Sequence, residues 1–152
     1  NVIGSNNGDT ITGSSGANLL DGGAGNDTLS GGAGDDILYG RDGLDVLTGG
    51  SDDDTFVFES ATVFNNTDTI TDFSGSDDYI DIADVLDGFY SYGVDDITDF
   101  VSFTEVTGDT EVYIDLDGTG GTYSSQLAML LDGVTGLNVA SLESTGHLIT
   151  ST

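Results

Sequence analysis

Oxygen-bearing side chains recur at one spacing in the first third of the chain. Every ninth residue from 9 to 54 is Asp or Asn, and glycine-rich stretches separate them: Asp9, Asn18, Asp27, Asp36, Asp45 and Asp54. Carboxylate, amide and backbone carbonyl oxygens are the ligands that Ca²⁺ prefers in proteins. Glycine permits positive φ angles, so a glycine-rich loop can point several carbonyl oxygens inward. The spacing therefore predicts a series of calcium sites.

The composition agrees with cation binding and excludes several other classes of function. The 152 residues hold 28 Asp and Glu against a single Lys or Arg, a formal net charge of -27. Nucleic acid is excluded as a partner, because Lys and Arg hold the phosphate backbone. The chain has no cysteine for a disulfide or a thiolate metal site. No transmembrane segment is predicted, since no stretch approaches ~20 apolar residues, and no signal peptide opens the chain.

The cation ligands belong to a repeated element. Six units of nine residues follow one another from residue 4 to residue 57. Each begins with glycine and has a large apolar residue at its eighth position: Ile11, Leu20, Leu29, Leu38, Leu47 and Phe56. The flanking residues alternate outward and inward, as in a short strand with one buried face. Nine residues then make one turn and one strand, and eighteen make a coil with two parallel sheets. The predicted fold class is all-β.

These units resemble the GGxGxDxUx nonapeptide of the RTX (repeats-in-toxin) family, as the unit GGAGNDTLS at residues 22–30 illustrates. The resemblance implies a right-handed parallel β-roll with Ca²⁺ between the loops of neighbouring coils. One edge would stack Asp9, Asp27 and Asp45, and the other Asn18, Asp36 and Asp54, which makes four ions between regular repeats. Asn18 contributes no charge, so its site with Asp36 is expected to be the weaker one. Asn7 and Asp52 also depart from the pattern, because each replaces a glycine.

Residues 58–82 contain two altered units that end the predicted β-roll. Asp68 and Asp78 each stand two positions before an isoleucine, as the loop aspartates do in the regular units. Similar segments close the β-roll in RTX enzymes and adhesins. On that resemblance Asp68 faces Asp45 and Asp78 faces Asp54, with Asp72 or Asp77 as a further ligand, for six or more ions in all. The alternative is that these residues only mark solvated acidic turns.

Residues 83–152 lack the repeat and form a second predicted domain, a mainly β cap after the β-roll of residues 1–82. Residues 101–106 and 110–117 predict a hairpin whose buried face is Val112, Ile114 and Leu116. The run 127–131 is either a buried strand or a short helix. Asp115 and Asp117 resemble the start of an EF-hand loop, but Gln126 replaces the final glutamate. A cap is expected because the open end of a stacked coil would otherwise aggregate.

The order of these cap segments resembles the C-terminal region of large bacterial RTX adhesins that leave the cell by type I secretion. The resemblance implies an extracellular or cell-surface protein, a role in cell adhesion, and a C-terminal export signal read by the type I machinery. We expect the chain to be the C-terminal part of such a protein, which folds on Ca²⁺ after export. No catalytic site is predicted, since the one histidine, His147, has no HExxH motif around it. The alternative is the non-catalytic RTX domain of a secreted metalloprotease or lipase.

Overall fold

Two sheets run the length of the molecule. The structure is a computed structural model, and it describes residues 1–90, 95–118 and 125–150. In spatial order the first sheet contains β1 (Val2–Ile3), β3 (Leu19–Ala24), β5 (Ile37–Asp42), β7 (Thr55–Val57), β9 (Tyr79–Asp81) and β13 (Leu148–Ile149). The second contains β2 (Thr10–Thr12), β4 (Thr28–Ala33), β6 (Val46–Ser51), β8 (Asp68–Ile70), β12 (Gln126–Leu131), β11 (Asp109–Ile114) and β10 (Val101–Val106).

Strands β1 to β7 alternate between the two sheets, so each pair of units makes one coil. Every pairing among them is parallel and offset by eighteen residues; for example, Leu20 pairs with Leu38 and Leu29 with Leu47. The inward side chains of the two sheets meet in the core, where Leu20, Leu29 and Phe56 are fully buried. The alternation arises because successive side chains on a strand point to opposite faces. The predicted all-β parallel roll is confirmed.

The two altered units add one more strand to each sheet. β8 pairs in parallel with β6 and brings Ile70 beside Leu47. β9 pairs in parallel with β7 and brings Ile80 beside Phe56. The connections before these strands are longer than a nonapeptide loop, yet both isoleucines are fully buried. The apolar residues therefore keep their place in the core although the loops change.

The segment after residue 82 extends both sheets. It begins with the short helix α1 (Ala83–Leu86), and a 3₁₀ turn at Ile97–Asp99 leads into β10. β10 and β11 form an antiparallel hairpin around Thr107 and Gly108. The run 127–131, which the sequence leaves as strand or helix, belongs to strand β12, antiparallel to β11 and parallel to β8. Helix α2 (Val139–Thr145) then leads to β13, which lies parallel to β9.

The core of this segment is continuous with that of the roll. Met129 and Leu131 of β12 are fully buried in the same apolar cluster as Ile70. On the hairpin Val112 and Ile114 are buried as expected, whereas Leu116, expected to be buried, is only partly buried because β11 ends before it. Among the described residues, no helix is long and apolar enough to cross a membrane.

Candidate calcium-binding columns

The recurring Asp and Asn residues form two columns, one along each edge of the roll. In each column the backbone N–H of one residue donates to the side-chain Oδ1 of the next. The first column is Asp9, Asp27, Asp45 and Asp68, with N···O distances of 2.7, 2.8 and 2.9 Å. The second column is Asn18, Asp36, Asp54 and Asp78, with distances of 2.6, 2.9 and 3.1 Å. The structure thus brings Asp68 to Asp45 and Asp78 to Asp54.

The middle of each column holds buried carboxylate oxygens without a partner. Four side chains are only 1% exposed, and the Oδ2 atom of each accepts no hydrogen bond: Asp27, Asp36, Asp45 and Asp54. Burying a polar oxygen without a hydrogen-bond partner destabilises the folded state, and burying an unpaired charge destabilises it more. These four atoms therefore need a positive or donating group that the described protein does not supply. A bound cation satisfies that need.

The first glycine of each interior unit leaves space for these oxygens. A Cβ atom at any of four positions would overlap the Oδ2 or Cβ of the aspartate five residues later: Gly22, Gly31, Gly40 and Gly49. At Gly22 and Gly31 a carbonyl oxygen from the next coil also lies there, with Gly40 O 2.9 Å and Gly49 O 2.6 Å from the respective Cβ positions. Carboxylate and carbonyl oxygens from two coils therefore meet in a space that any other residue would fill. This arrangement agrees with the inward carbonyl oxygens that the glycine-rich loops predict.

Burial also shifts the acidity of the columns. Desolvation by burial, aided by neighbouring carboxylates, raises the pKa of Asp54 to about 6 and that of Asp68 to about 7. The pKa values of Asp27, Asp45 and Asp78 are raised for the same first reason. Each shift means that the ionised carboxylate is destabilised where it lies and favours a cation.

The one arginine forms its ion pairs with residues outside the columns. Arg41 lies on the first sheet, where its guanidinium pairs with Asp21 at 2.8 Å and with Glu59. It also lies 4.6 Å from the ring centroid of Tyr39. Its φ of 78° is unusual for a residue with a side chain. The ion pairs join strands of successive coils, and the columns are left without a protein cation.

The donor set fits calcium. In the described ranges, no three side chains of His, Cys, Asp or Glu lie close enough together to hold an ion by themselves. An ion in the columns would draw on one or two carboxylates together with backbone carbonyls. Hard oxygen ligands in flexible loops suit Ca²⁺, whereas zinc sites use nitrogen and sulfur ligands in tetrahedral sets. The columns can therefore hold Ca²⁺ by their chemistry.

The ends of the columns differ from the middle. The carboxylate of Asp9 accepts bonds from the N–H and hydroxyl of Ser5, and the side-chain oxygen of Asn18 accepts from the N–H of Ser14. At the other end Asp68 and Asp78 are each 5% exposed, and Asp78 also accepts from the N–H of Ser74. Asp9, Asn18 and Asp78 thus each accept a hydrogen bond from a donor in their own loop.

The remaining candidates lie outside the columns. Asp72 accepts from the N–H groups of Gly49 and Gly50, both at 2.9 Å, so it contacts the sixth loop rather than the column. Asp77 is exposed and bonds to serine hydroxyls. The N–H of Asp117 donates to Asp115, and part of the EF-hand-like segment that follows lies outside the described residues. His147 donates from Nδ1 to the carbonyl of Asp78 at 2.9 Å and stacks on Tyr79.

Comparison with known proteins agrees with this geometry. The sequence profile of the RTX calcium-binding nonapeptide repeat matches residues 3–38 and 21–56. The fold is similar to the R3 subunit of the AlgE6 mannuronan C5-epimerase of Azotobacter vinelandii, with TM-score 0.66 and 27% identity over 98% of this chain and 81% of that one. The R2 subunit gives TM-score 0.65 and 25% identity over 99% and 92%. No curated protein sequence matches. Residues 3–56 are thus RTX calcium-binding repeats in a β-roll.

Proposed function

We propose that the chain is a calcium-triggered folding module of an extracellular bacterial RTX protein, and that its C-terminal part also carries the export signal. Ca²⁺ is scarce in the cytosol, where the net charge of -27 keeps the chain unfolded and able to pass a narrow channel. Outside the cell Ca²⁺ neutralises the columns, and the roll folds. Binding and folding then share one free energy, because no site exists in the unfolded chain.

The observation that carries this proposal is the set of four buried, unpartnered Oδ2 atoms in the two columns. A stable metal-independent fold would pair or expose them. We propose that the other column members, and Asp72 beside the sixth loop, are calcium ligands as well. No catalytic role is proposed for the chain, and the module acts by its folded structure.

Circular dichroism with EDTA, Ca²⁺ and Mg²⁺ tests calcium-triggered folding. The chain is expected to be largely disordered in EDTA and to gain β-structure in millimolar Ca²⁺, the order of affinity of extracellular calcium modules. Mg²⁺ demands octahedral geometry and keeps its waters, so it should induce much less β-structure. A folded spectrum without any divalent ion would contradict the proposal.

The export role is assigned to the last segment, residues 142–152. Leu142 and Leu148 are buried in the folded protein, so a secretion machine can read this segment only before folding. Its deletion should abolish secretion by cells that carry type I machinery. Met129→Asp, which damages the folded core outside this segment, should still be exported. Equal secretion of the deleted and the full chain would remove this role.

Two contexts remain for the module. We favour the C-terminal region of a large adhesin, on the resemblance of the cap segments. The second is a non-catalytic RTX domain of a secreted enzyme, which gains support because the similar structures are subunits of a mannuronan C5-epimerase. The sequence encoded next to this module decides between them. A catalytic domain there, with HExxH or GxSxG in a protease or lipase, favours the enzyme, and adhesive repeats favour the adhesin.

A further inference from the structure

The second residue of each nine-residue unit adopts one of two backbone conformations. In the four interior units it has a left-handed φ, between 78° and 117°: Gly23, Gly32, Arg41 and Gly50. In the first two units and in the altered unit that contains Asp78 it is a serine without a positive φ: Ser5, Ser14 and Ser74. The Cβ of any residue other than glycine disfavours the left-handed region, so serine favours the second conformation.

The two conformations differ in the state of the column residue four positions later. After each left-handed residue, the aspartate Oδ2 is buried and has no hydrogen-bond partner: Asp27, Asp36, Asp45 and Asp54. After each serine, a side-chain oxygen of the column residue accepts the serine N–H, at 2.7 Å for Asp9, 2.5 Å for Asn18 and 2.8 Å for Asp78. We call the first kind of loop open and the second kind closed.

A closed loop does not depend on its place along the roll. Ser14 lies in the first coil, whereas Ser74 lies just before strand β9, beside the cap. Asp78, which accepts the N–H of Ser74, is 5% exposed, so burial alone does not leave a column oxygen without a partner. The serine supplies the donor that the open loops lack.

Arg41 shows that a residue with a side chain can hold the open conformation. Its φ is 78°, and Asp45, four residues later, keeps an unpartnered Oδ2. The ion pairs of its guanidinium with Asp21 and Glu59 offset the cost of the left-handed backbone. A serine at this position could form neither ion pair. We therefore expect serine here to adopt its usual negative φ and to close the loop.

We propose that the second residue of each unit determines how tightly its loop binds Ca²⁺, an inference that rests on the calcium-triggered folding proposed above. An open loop presents a buried carboxylate oxygen that a cation can satisfy without competition. In a closed loop Ca²⁺ must first displace the serine N–H, which already satisfies that oxygen. The four open loops therefore fill at lower Ca²⁺ concentrations than the three closed loops.

Arg41→Ser and Arg41→Gly test this role as a matched pair. Both substitutions remove the ion pairs with Asp21 and Glu59, but only glycine adopts the left-handed φ freely. Arg41→Ser should raise the Ca²⁺ concentration at the folding midpoint roughly fivefold or more above that of Arg41→Gly. At a Ca²⁺ concentration where circular dichroism shows both variants folded, equilibrium dialysis should find fewer ions bound to Arg41→Ser. A purely structural defect would not lower the bound calcium of a folded chain.

The reverse substitution, Ser74→Gly, tests the proposal without changing Arg41. The matched control is Ser76→Gly, because the hydroxyls of both serines bond to Asp77 and both substitutions add the same backbone freedom. The control leaves Ser74 in place, with its N–H on Asp78. Ser74→Gly should therefore give a calcium midpoint several-fold lower than that of Ser76→Gly.

The outcomes separate this proposal from the folding role on which it rests. Equal midpoints and equal bound calcium in the two Arg41 variants overturn the role of the second residue. So does a Ser74→Gly midpoint that is no lower than that of Ser76→Gly, and this comparison decides alone if both Arg41 variants fail to fold. In each of these cases a wild-type chain that folds only with Ca²⁺ leaves calcium-triggered folding intact. A wild-type chain that stays unfolded in Ca²⁺ contradicts both proposals.

Discussion

At the scale of single residues, neighbours in the chain have opposite environments. Asp53 is exposed to solvent, while Asp54 is 1% exposed, lies in the second column and has an unpartnered Oδ2. Both carry the same formal charge, so composition alone cannot tell them apart. The nine-residue register does separate them, because position six of every unit turns inward and position five does not. Substituting these two adjacent residues in turn can therefore distinguish an effect of metal coordination from an effect of bulk charge.

Replacing Asp54 by Ala should raise the Ca²⁺ concentration at the folding midpoint. The variant loses a carboxylate oxygen in the second column and the acceptor for the N–H of Asp36. A shift of roughly tenfold corresponds to about 1.4 kcal/mol. Asp53→Ala removes the same charge at the surface and should leave the midpoint unchanged or lower it by reducing repulsion. Calcium titrations followed by circular dichroism measure both, and equal shifts would show that only bulk charge matters.

The raised pKa values of Asp54, about 6, and Asp68, about 7, predict how the calcium-free chain responds to pH. A carboxyl whose pKa is higher in the folded state stabilises that state when protonated. The contribution is fully present below the unfolded pKa near 3.8 and is lost as pH rises through about 6 to 7. In EDTA, acidification from pH 8 to pH 4 should therefore increase β-structure.

Calcium should show the opposite dependence, because protons and Ca²⁺ compete for the same carboxylates. The calcium midpoint is expected to rise as pH falls from 8 to 6. Circular dichroism at fixed ionic strength measures both trends. A midpoint independent of pH over this range would show that the column carboxylates are ionised throughout.

At the scale of elements, the glycines of the loops differ in whether a larger residue could replace them. At Gly31 a Cβ would overlap the Oδ2 of Asp36 and lie 2.6 Å from the carbonyl oxygen of Gly49. At Gly16, in the fourth position of the second unit, a Cβ would meet no atom within 4 Å, and φ is not positive. The same residue type is thus essential in one loop position and replaceable in another.

Gly31→Ala should weaken calcium-induced folding, whereas Gly16→Ala should be tolerated. The first substitution places a methyl group where column oxygens converge, and the second mainly restricts the unfolded chain. We expect the Gly31 variant to need several times more Ca²⁺, or to remain unfolded, and the Gly16 variant to match the wild type. Thermal unfolding in saturating Ca²⁺ gives a second measure. Equal tolerance of both variants would mean that the loops relax around the added methyl.

The repeated elements could be predicted from the sequence, and the cap only in part. Six apolar residues at one spacing determine the strands, their faces and their parallel order, because each unit repeats the same local pattern. The hairpin also follows from local alternation and its glycine turn. Local pattern gives no reason for β12 to lie parallel to β8, since that pairing joins Leu131 to Ile70 across sixty residues of chain. The same limit applies to β13 beside β9.

At the scale of the whole molecule, the cap closes both sheets at the end where the repeat becomes irregular. β12 covers β8 in one sheet, and β13 covers β9 in the other. Without them Ile70 and Ile80, both fully buried, would lie at edges of the core. The cap thus extends the apolar core, and the roll alone has few inward residues to offset the entropy of ordering its backbone.

Residues 1–57 alone should therefore stay unfolded in several millimolar Ca²⁺, while the full chain folds. The short chain ends at β7 and lacks β8 and β9. It also lacks the next carboxylates of the columns, Asp68 and Asp78. Met129→Asp in the full chain tests the same idea without truncation, because it places a charge on a fully buried residue of β12. It should raise the calcium midpoint, whereas Ser102→Asp on the exposed side of β10 should not. If residues 1–57 fold at the same Ca²⁺ concentration as the whole chain, the repeats are self-sufficient and the cap has a different purpose.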